Sequence, residues 1–158
     1  MTDVEMPDLA PPAKPVHAFL AVGLSRETQA ELGALQQALR DAVKGNAVGL
    51  HTVPRRALSL PLHDLGAVHP ASLEAVELAV TRTVQQHSGF SLKFDAVGGF
   101  PDADAPIQVH AQLADPKAQL AALRQALGEA LAGYGFATDA RAFVPHVPVA
   151  RLSDPGPP

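Results

Sequence analysis

The sequence predicts an α+β fold in which antiparallel sheets are covered by helices on one side. Three observations carry this expectation. Several short segments alternate apolar and polar residues, which gives a strand one face to bury and one to leave polar. Three longer segments repeat apolar residues at helical spacing and are separated by those strands. The chain has 158 residues, of which 47% are hydrophobic. That is enough to bury a core in one domain or one bilobal unit.

The elements follow in order. HAFLAVGL, residues 17–24, is short, apolar and bounded by Gly23, and reads as a buried strand. Ser25 is placed to cap a helix over 26–43, with Leu32, Leu35, Leu39 and Val43 on its apolar stripe. Residues 57–64 alternate, with Leu58, Leu60 and Leu62 facing one way and Ser59, Pro61 and His63 the other. A second helix runs from about Pro70 to His87, with Leu73, Val76, Val80 and Val84 as its stripe. FSLKFDAV, 90–97, is a strand with Phe90, Leu92, Phe94 and Ala96 on one face. IQVHAQL, 107–113, sets Ile107, Val109, Ala111 and Leu113 against Gln108, His110 and Gln112. Asp115-Pro116 opens a third helix, through Leu120, Leu123, Leu127 and Leu131 to Gly133. The last strand spans about 144–151, with Val147 and Val149 opposite His146, Pro148 and Ala150.

Composition removes several function classes. With no cysteine there is no disulfide framework, thiolate nucleophile or iron–sulfur site. A formal charge of −4 with twelve Lys and Arg argues against duplex nucleic acid, which needs a broad basic surface. No run of 18 apolar residues suggests a membrane span. The first fifteen residues lack a basic stretch followed by an apolar one, so they do not read as a secretory signal. The expected organisation is a flexible leader at 1–15, a folded unit at 16–152 and a flexible tail at 153–158, in a soluble, cytoplasmic monomer.

A short internal echo links the two halves. Ser59-Leu60-Pro61-Leu62 and His146-Val147-Pro148-Val149 share a polar residue, an aliphatic, a proline and an aliphatic. Two such halves facing each other place residues 59 and 146 across one cleft. In this order of elements the chain resembles the 2H phosphoesterases, in particular the bacterial RNA 2',3'-cyclic phosphodiesterases, long labelled 2'-5' RNA ligases. The resemblance rests on HAFLAVGL at 17–24, ALSLPLHDLG at 57–66, DAVGGFP at 95–101 and GFATDARAFVPHVPVAR at 135–151. It implies a bilobal 2H phosphoesterase-like fold, two antiparallel sheets around a central cleft with helices outside. It also implies a ligand: a nucleotide or an RNA 2',3'-cyclic phosphate end, handled without metal or cofactor.

The departures from that family shape the functional expectation. The family carries two His-x-Thr motifs, whose imidazoles act as general base and acid and whose hydroxyls bind the phosphate. Here the first motif reads Ser59-Leu60-Pro61 and the second His146-Val147-Pro148, so three of the four side chains differ. A positioned acid or base contributes roughly 10²–10⁴-fold, and a lost charge-stabilising donor costs roughly 10²–10³-fold. The expectation is a degenerate member, catalytically impaired, that still binds a ligand. Two alternatives stand beside it: an active phosphodiesterase using His146 with His63 as a relocated base, and an interaction protein with a vestigial site. The candidate catalytic positions are His146, Ser59 and His63. The candidate ligand contacts are Phe19, His110, Arg151, Pro61 and Pro148. By strand parity His63, His110 and His146 all lie on polar faces. Gly98-Gly99 lacks the Lys and Ser/Thr of a phosphate loop and reads as a turn. Arg55-Arg56 reads as a solvated loop pair.

Overall fold

A computed structural model describes residues 13–45, 49–100, 107–138 and 142–153. The elements run β1 (Val16–Gly23), α1 (Arg26–Val43), β2 (Gly49–Thr52), β3 (Ser59–Val68), α2 (Leu73–Gln85), β4 (Lys93–Phe100), β5 (Gln108–Ala114), α3 (Gln119–Ala132) and β6 (His146–Ser153). They form two sheets, β1–β3 and β2–β6–β5–β4, in which every pairing is antiparallel. This is the expected α+β plan. The expected leader and tail lie largely outside the described residues, and among the described residues no helix is long and apolar enough to cross a membrane.

Helix α1 starts as its sequence dictates, with Thr28 N–H donating to the Ser25 hydroxyl at 3.2 Å. Its buried face is Leu32, Gly33 and Gln36. The Gln36 amide donates to the carbonyls of Val53 and Val149, at 2.7 and 2.9 Å. A polar side chain in an apolar stripe is thereby satisfied, and α1 is tied to β6. Residues 70–72 form a 3₁₀ turn, so α2 proper begins at Leu73. Its buried stripe is Val76, Ala79 and Thr83, and Val84 is exposed. At 3.6 residues per turn it is Thr83, seven residues on, that lies above Val76, while Val84 sits a further 100° around. The start of α3 is held by Asp115, whose carboxylate accepts from the backbone N–H groups of Leu120 and Ala121. A turn through a left-handed Ala118 intervenes, so the helix opens at Gln119.

Bulges break the expected alternation. In β3, Leu62 and Leu65 are extra residues against β1. Gly66 follows at φ +66°, where it carries no Cβ penalty, and its N–H donates to the Asp64 carboxylate at 2.8 Å. In β6 the extra residue is Val149, which lets Ala150 join Val147 and Val149 in the core. In β4 it is Asp95, so Ala96 is exposed instead of sharing the face of Phe94. The principal core joins both sheets through Leu58, Leu60, Leu62, Val109, Val147 and Val149, capped by Leu32 of α1 and Leu120 and Leu127 of α3. A second cluster of Val76, Ala79 and Leu131 packs α2 and α3 together.

Candidate functional site

A cleft of about 550 Å³ lies between the two sheets. One wall comes from β1 and β3, through His17, Phe19, Pro61 and Asp64. The other comes from β4, β5 and β6, through Phe100, Gln108, His110, Gln112 and His146. Leu62, His63, Gly99, Arg124 of α3 and the segment 142–144 complete the lining. Phe19 and Phe100, on opposite walls, are 62% and 61% exposed. Flat aromatic faces open to solvent at a cleft are suited to stacking on a planar ligand.

Register explains the second wall. On β5 and β6, Gln108 opposes Arg151, His110 opposes Pro148, and Gln112 opposes His146. Directly opposed residues share a face, and of these six Gln108, His110, Gln112 and His146 line the cleft. His146 is half-buried, and its Nδ1 donates to the Val144 carbonyl at 2.7 Å. A carbonyl only accepts, so neutral His146 carries its proton on Nδ1 and presents the Nε2 lone pair. That is the tautomer of a general base; only the protonated ring, with a proton on Nε2 as well, donates to a phosphate oxygen. His110 lies beside it, with ring centroids 4.9 Å apart. Burial, and secondarily the neighbouring His146, hold His110 below the ordinary histidine value of 6.5.

The first wall differs from the parity expectation. His63 does not share the face of Ser59 and Pro61, because the Leu62 bulge turns the strand between Pro61 and His63. Its ring is 5% exposed and packs on α3, where a Cβ on Gly128 would approach its Cε1 to 3.2 Å. Nε2 donates to the Arg124 carbonyl at 2.8 Å. Pro61 lines the cleft, whereas Ser59 lines a neighbouring groove with Arg56. Phe19 borders both. Arg151 is exposed and, with Pro148, falls outside the cleft lining. Arg55 lies along α1, its guanidinium occupying the space a side chain at Gly33 would need. At the rim His17 Nε2 meets Asp64 at 3.0 Å, both well exposed.

Sequence reasoning missed Arg124, Gln112 and Phe100. Arg124 donates from Nε to the Leu62 carbonyl at 3.0 Å, and its guanidinium stacks 4.6 Å from the Phe143 ring centroid. A signal for it existed. Arg124 stands four residues after Leu120 and three before Leu127, a cation on an apolar stripe. Among the described residues no group of three His, Cys, Asp or Glu side chains is gathered to hold a metal ion.

A model of the 2'-5' RNA ligase superfamily matches residues 64–158, more than half the chain. The chain belongs to the 2'-5' RNA ligase superfamily. The match to the superfamily begins just past the first motif position and takes in the whole of the second. An RNA 2',3'-cyclic phosphodiesterase of Geobacillus stearothermophilus is 30% identical over 136 residues, or 85% of this chain. The chain spans 41% of that relative's length. A crystal structure from Thermus thermophilus is similar with a TM-score of 0.72 at 23% identity, covering 90% of this chain and 78% of that one. Apo LigT of Escherichia coli gives 0.70 at 24% identity, covering 88% and 73%. LigT complexed with 3'-AMP gives 0.65 at 25% identity, covering 87% and 72%. The likeness to the first two of these chains, over about nine-tenths of this one, is a likeness of fold: helices with antiparallel sheets.

Proposed function

We propose that this superfamily member binds a nucleotide or an RNA 2',3'-cyclic phosphate end in its cleft and is impaired in two-histidine hydrolysis. One observation carries the reading: an open cleft that keeps His146 and Phe19 but offers Pro61 where the family has a hydroxyl. Opening a cyclic phosphate takes one proton from water and gives one to the leaving oxygen. His146 supplies one imidazole for that exchange. Ser59, at the other motif position, has no group that titrates near neutral pH. Proline at 61 and 148 removes both hydroxyl donors that would hold phosphate oxygens. What is left suits retention of a ligand: stacking on Phe19 and a hydrogen bond donated by Nε2–H of the protonated His146 ring. The ligand class is supported by the relative named as an RNA 2',3'-cyclic phosphodiesterase and by the LigT complex with 3'-AMP. His63 as a relocated base is disfavoured by its burial and by its hydrogen bond to the Arg124 carbonyl.

Restoration tests the reading. Ser59→His, Pro61→Thr and Pro148→Thr are introduced together, and hydrolysis of a 2',3'-cyclic nucleotide is compared with that of the unmodified protein. Activity emerging in the restored protein and lost again with His146→Ala supports an intact scaffold with a disabled site. Turnover by the unmodified protein in the ordinary enzyme range of about 1–10³ s⁻¹ overturns the impairment.

A further inference from the structure

We propose that His110 and Gln112, on β5, form with His146 a phosphate-binding subsite that takes over the role of the missing motif hydroxyls. The proposal rests on the reading of the cleft as a nucleotide site, and it names donors that neither motif contains. Four observations meet here. Register puts His110 and Gln112 on the same face as His146, on the neighbouring strand. All three line the cleft. The His110 and His146 rings are in contact, tilted by 57°. Gln112 Nε2 donates to His110 Nε2 at 3.2 Å, which leaves the proton of neutral His110 on Nδ1.

That Nδ1–H is the telling atom. It is buried and has no hydrogen-bond partner among the described residues. Buried donors are nearly always paired, so an unpaired one at a cleft wall points to an acceptor that arrives with a ligand. The backbone beneath is shaped to admit the ring. A Cβ on Gly98 would lie 2.6 Å from Gln112 Nε2 and 2.8 Å from His110 Nε2, so only glycine on β4 leaves room for both tips. Nδ1 is covered in the free protein, so the proposal requires a side chain over it to move before a ligand oxygen reaches it.

The charge balance fits an anion. The other charged or titratable groups of the lining are His17, His63, Asp64 and Arg124. His17 faces Asp64, His63 is bonded to the Arg124 carbonyl, and Arg124 Nε is bonded to the Leu62 carbonyl. The imidazole pair is therefore where positive charge can be added on demand. In the free protein burial and His146 favour the neutral form of His110. A phosphate bound against the pair offsets both effects and favours protonation of His110, at which the Gln112 amide turns its oxygen to accept from Nε2–H.

The test is an NMR titration of the histidine ring protons in the full chain, free and with 3'-AMP or adenosine. With 3'-AMP the His110 resonances shift and its midpoint moves to higher pH; with adenosine they stay in place. His110→Phe weakens 3'-AMP at least tenfold and leaves adenosine unchanged. His110→Gln, which keeps a donor, retains part of the affinity. His51→Ala, on the far strand β2, changes neither. If 3'-AMP moves His146 but not His110, or both ligands move His110 equally, the phosphate subsite is wrong while the cleft reading survives. If neither ligand binds and no ring responds, the reading beneath it fails as well. Circular dichroism of each variant separates lost binding from lost fold.

Discussion

β3 and β6 share a local plan and differ in chemistry. Each runs polar residue, aliphatic, proline, then an extra bulged aliphatic: Ser59 to Leu62 in one, His146 to Val149 in the other. Proline gives no N–H to the ladder, and in both strands the bulge comes directly after it. Past the bulge both strands turn inward, to His63 in β3 and Ala150 in β6, 5% and 1% exposed. The first lobe thus keeps its histidine as a packing group bonded to α3. The second keeps His146 at the motif position with a fixed tautomer, and adds His110 beside it. The lesson is positional. A histidine four residues beyond a motif position, with a bulge between, turns from the motif face into the packing against α3.

The largest effect expected from breaking this asymmetry is chemical. Ser59→His alone, in the background of Pro61→Thr and Pro148→Thr, raises cyclic-phosphate hydrolysis by about 10²–10⁴-fold over the two threonines without it. A kcat/KM series over the stepwise variants reads this out. A flat series would mean that β3 no longer aims position 59 at the ligand.

Next come the bulges. Leu62→Ala removes a buried side chain from the core joining the sheets and costs about 2–5 kcal/mol, read from urea unfolding midpoints. His63→Ala costs about 1–3 kcal/mol by the same measurement, since it leaves a gap against α3 and removes the side-chain hydrogen bond to the Arg124 carbonyl. It leaves nucleotide binding intact. Unchanged stability with lost activity would return His63 to the chemistry of the site.

The smallest effect is the pH dependence carried by His110. Its folded value is lowered from 6.5, so between the two values the unfolded chain binds more protons than the folded one. This contribution destabilises the fold as pH falls through the unfolded value and is complete below the folded one. Wild type therefore loses more urea resistance than His110→Gln between about pH 7.5 and about pH 5.5, on either side of the ordinary histidine value. An equal loss in both would remove His110 as a source of acid sensitivity.

Much of this was legible in the sequence, and the remainder has physical reasons. The helix cap at Ser25, the leucine stripes of α1 and α3 and the alternation of β3 and β5 are local signals, and they produced the observed elements. β2 is only Gly-Leu-His-Thr, too short to show a period, and it exists because β6 offers it an edge. The bulges at Leu62, Asp95 and Val149 answer to partner strands far along the chain, so parity placed His63 and Ala96 on the wrong faces. Gln36 and Arg124 carried a readable signal, polar groups on apolar stripes. Only the fold reveals which carbonyls satisfy them.

The Gln36 amide has a consequence for the unity of the chain as well as for its stability. It bridges the carbonyls of Val53 and Val149, so a helix of the first half is fastened to a strand of the second. β2, also from the first half, edges the second half's sheet, while the second half's α3 packs on the first half's β3. The two halves are interlaced like clasped hands. A polypeptide severed between them yields two pieces that each expose what the other was made to cover. Neither piece would stand as a free module, because the Gln36 amide would lose its carbonyl at Val149 and β2 its edge on β6.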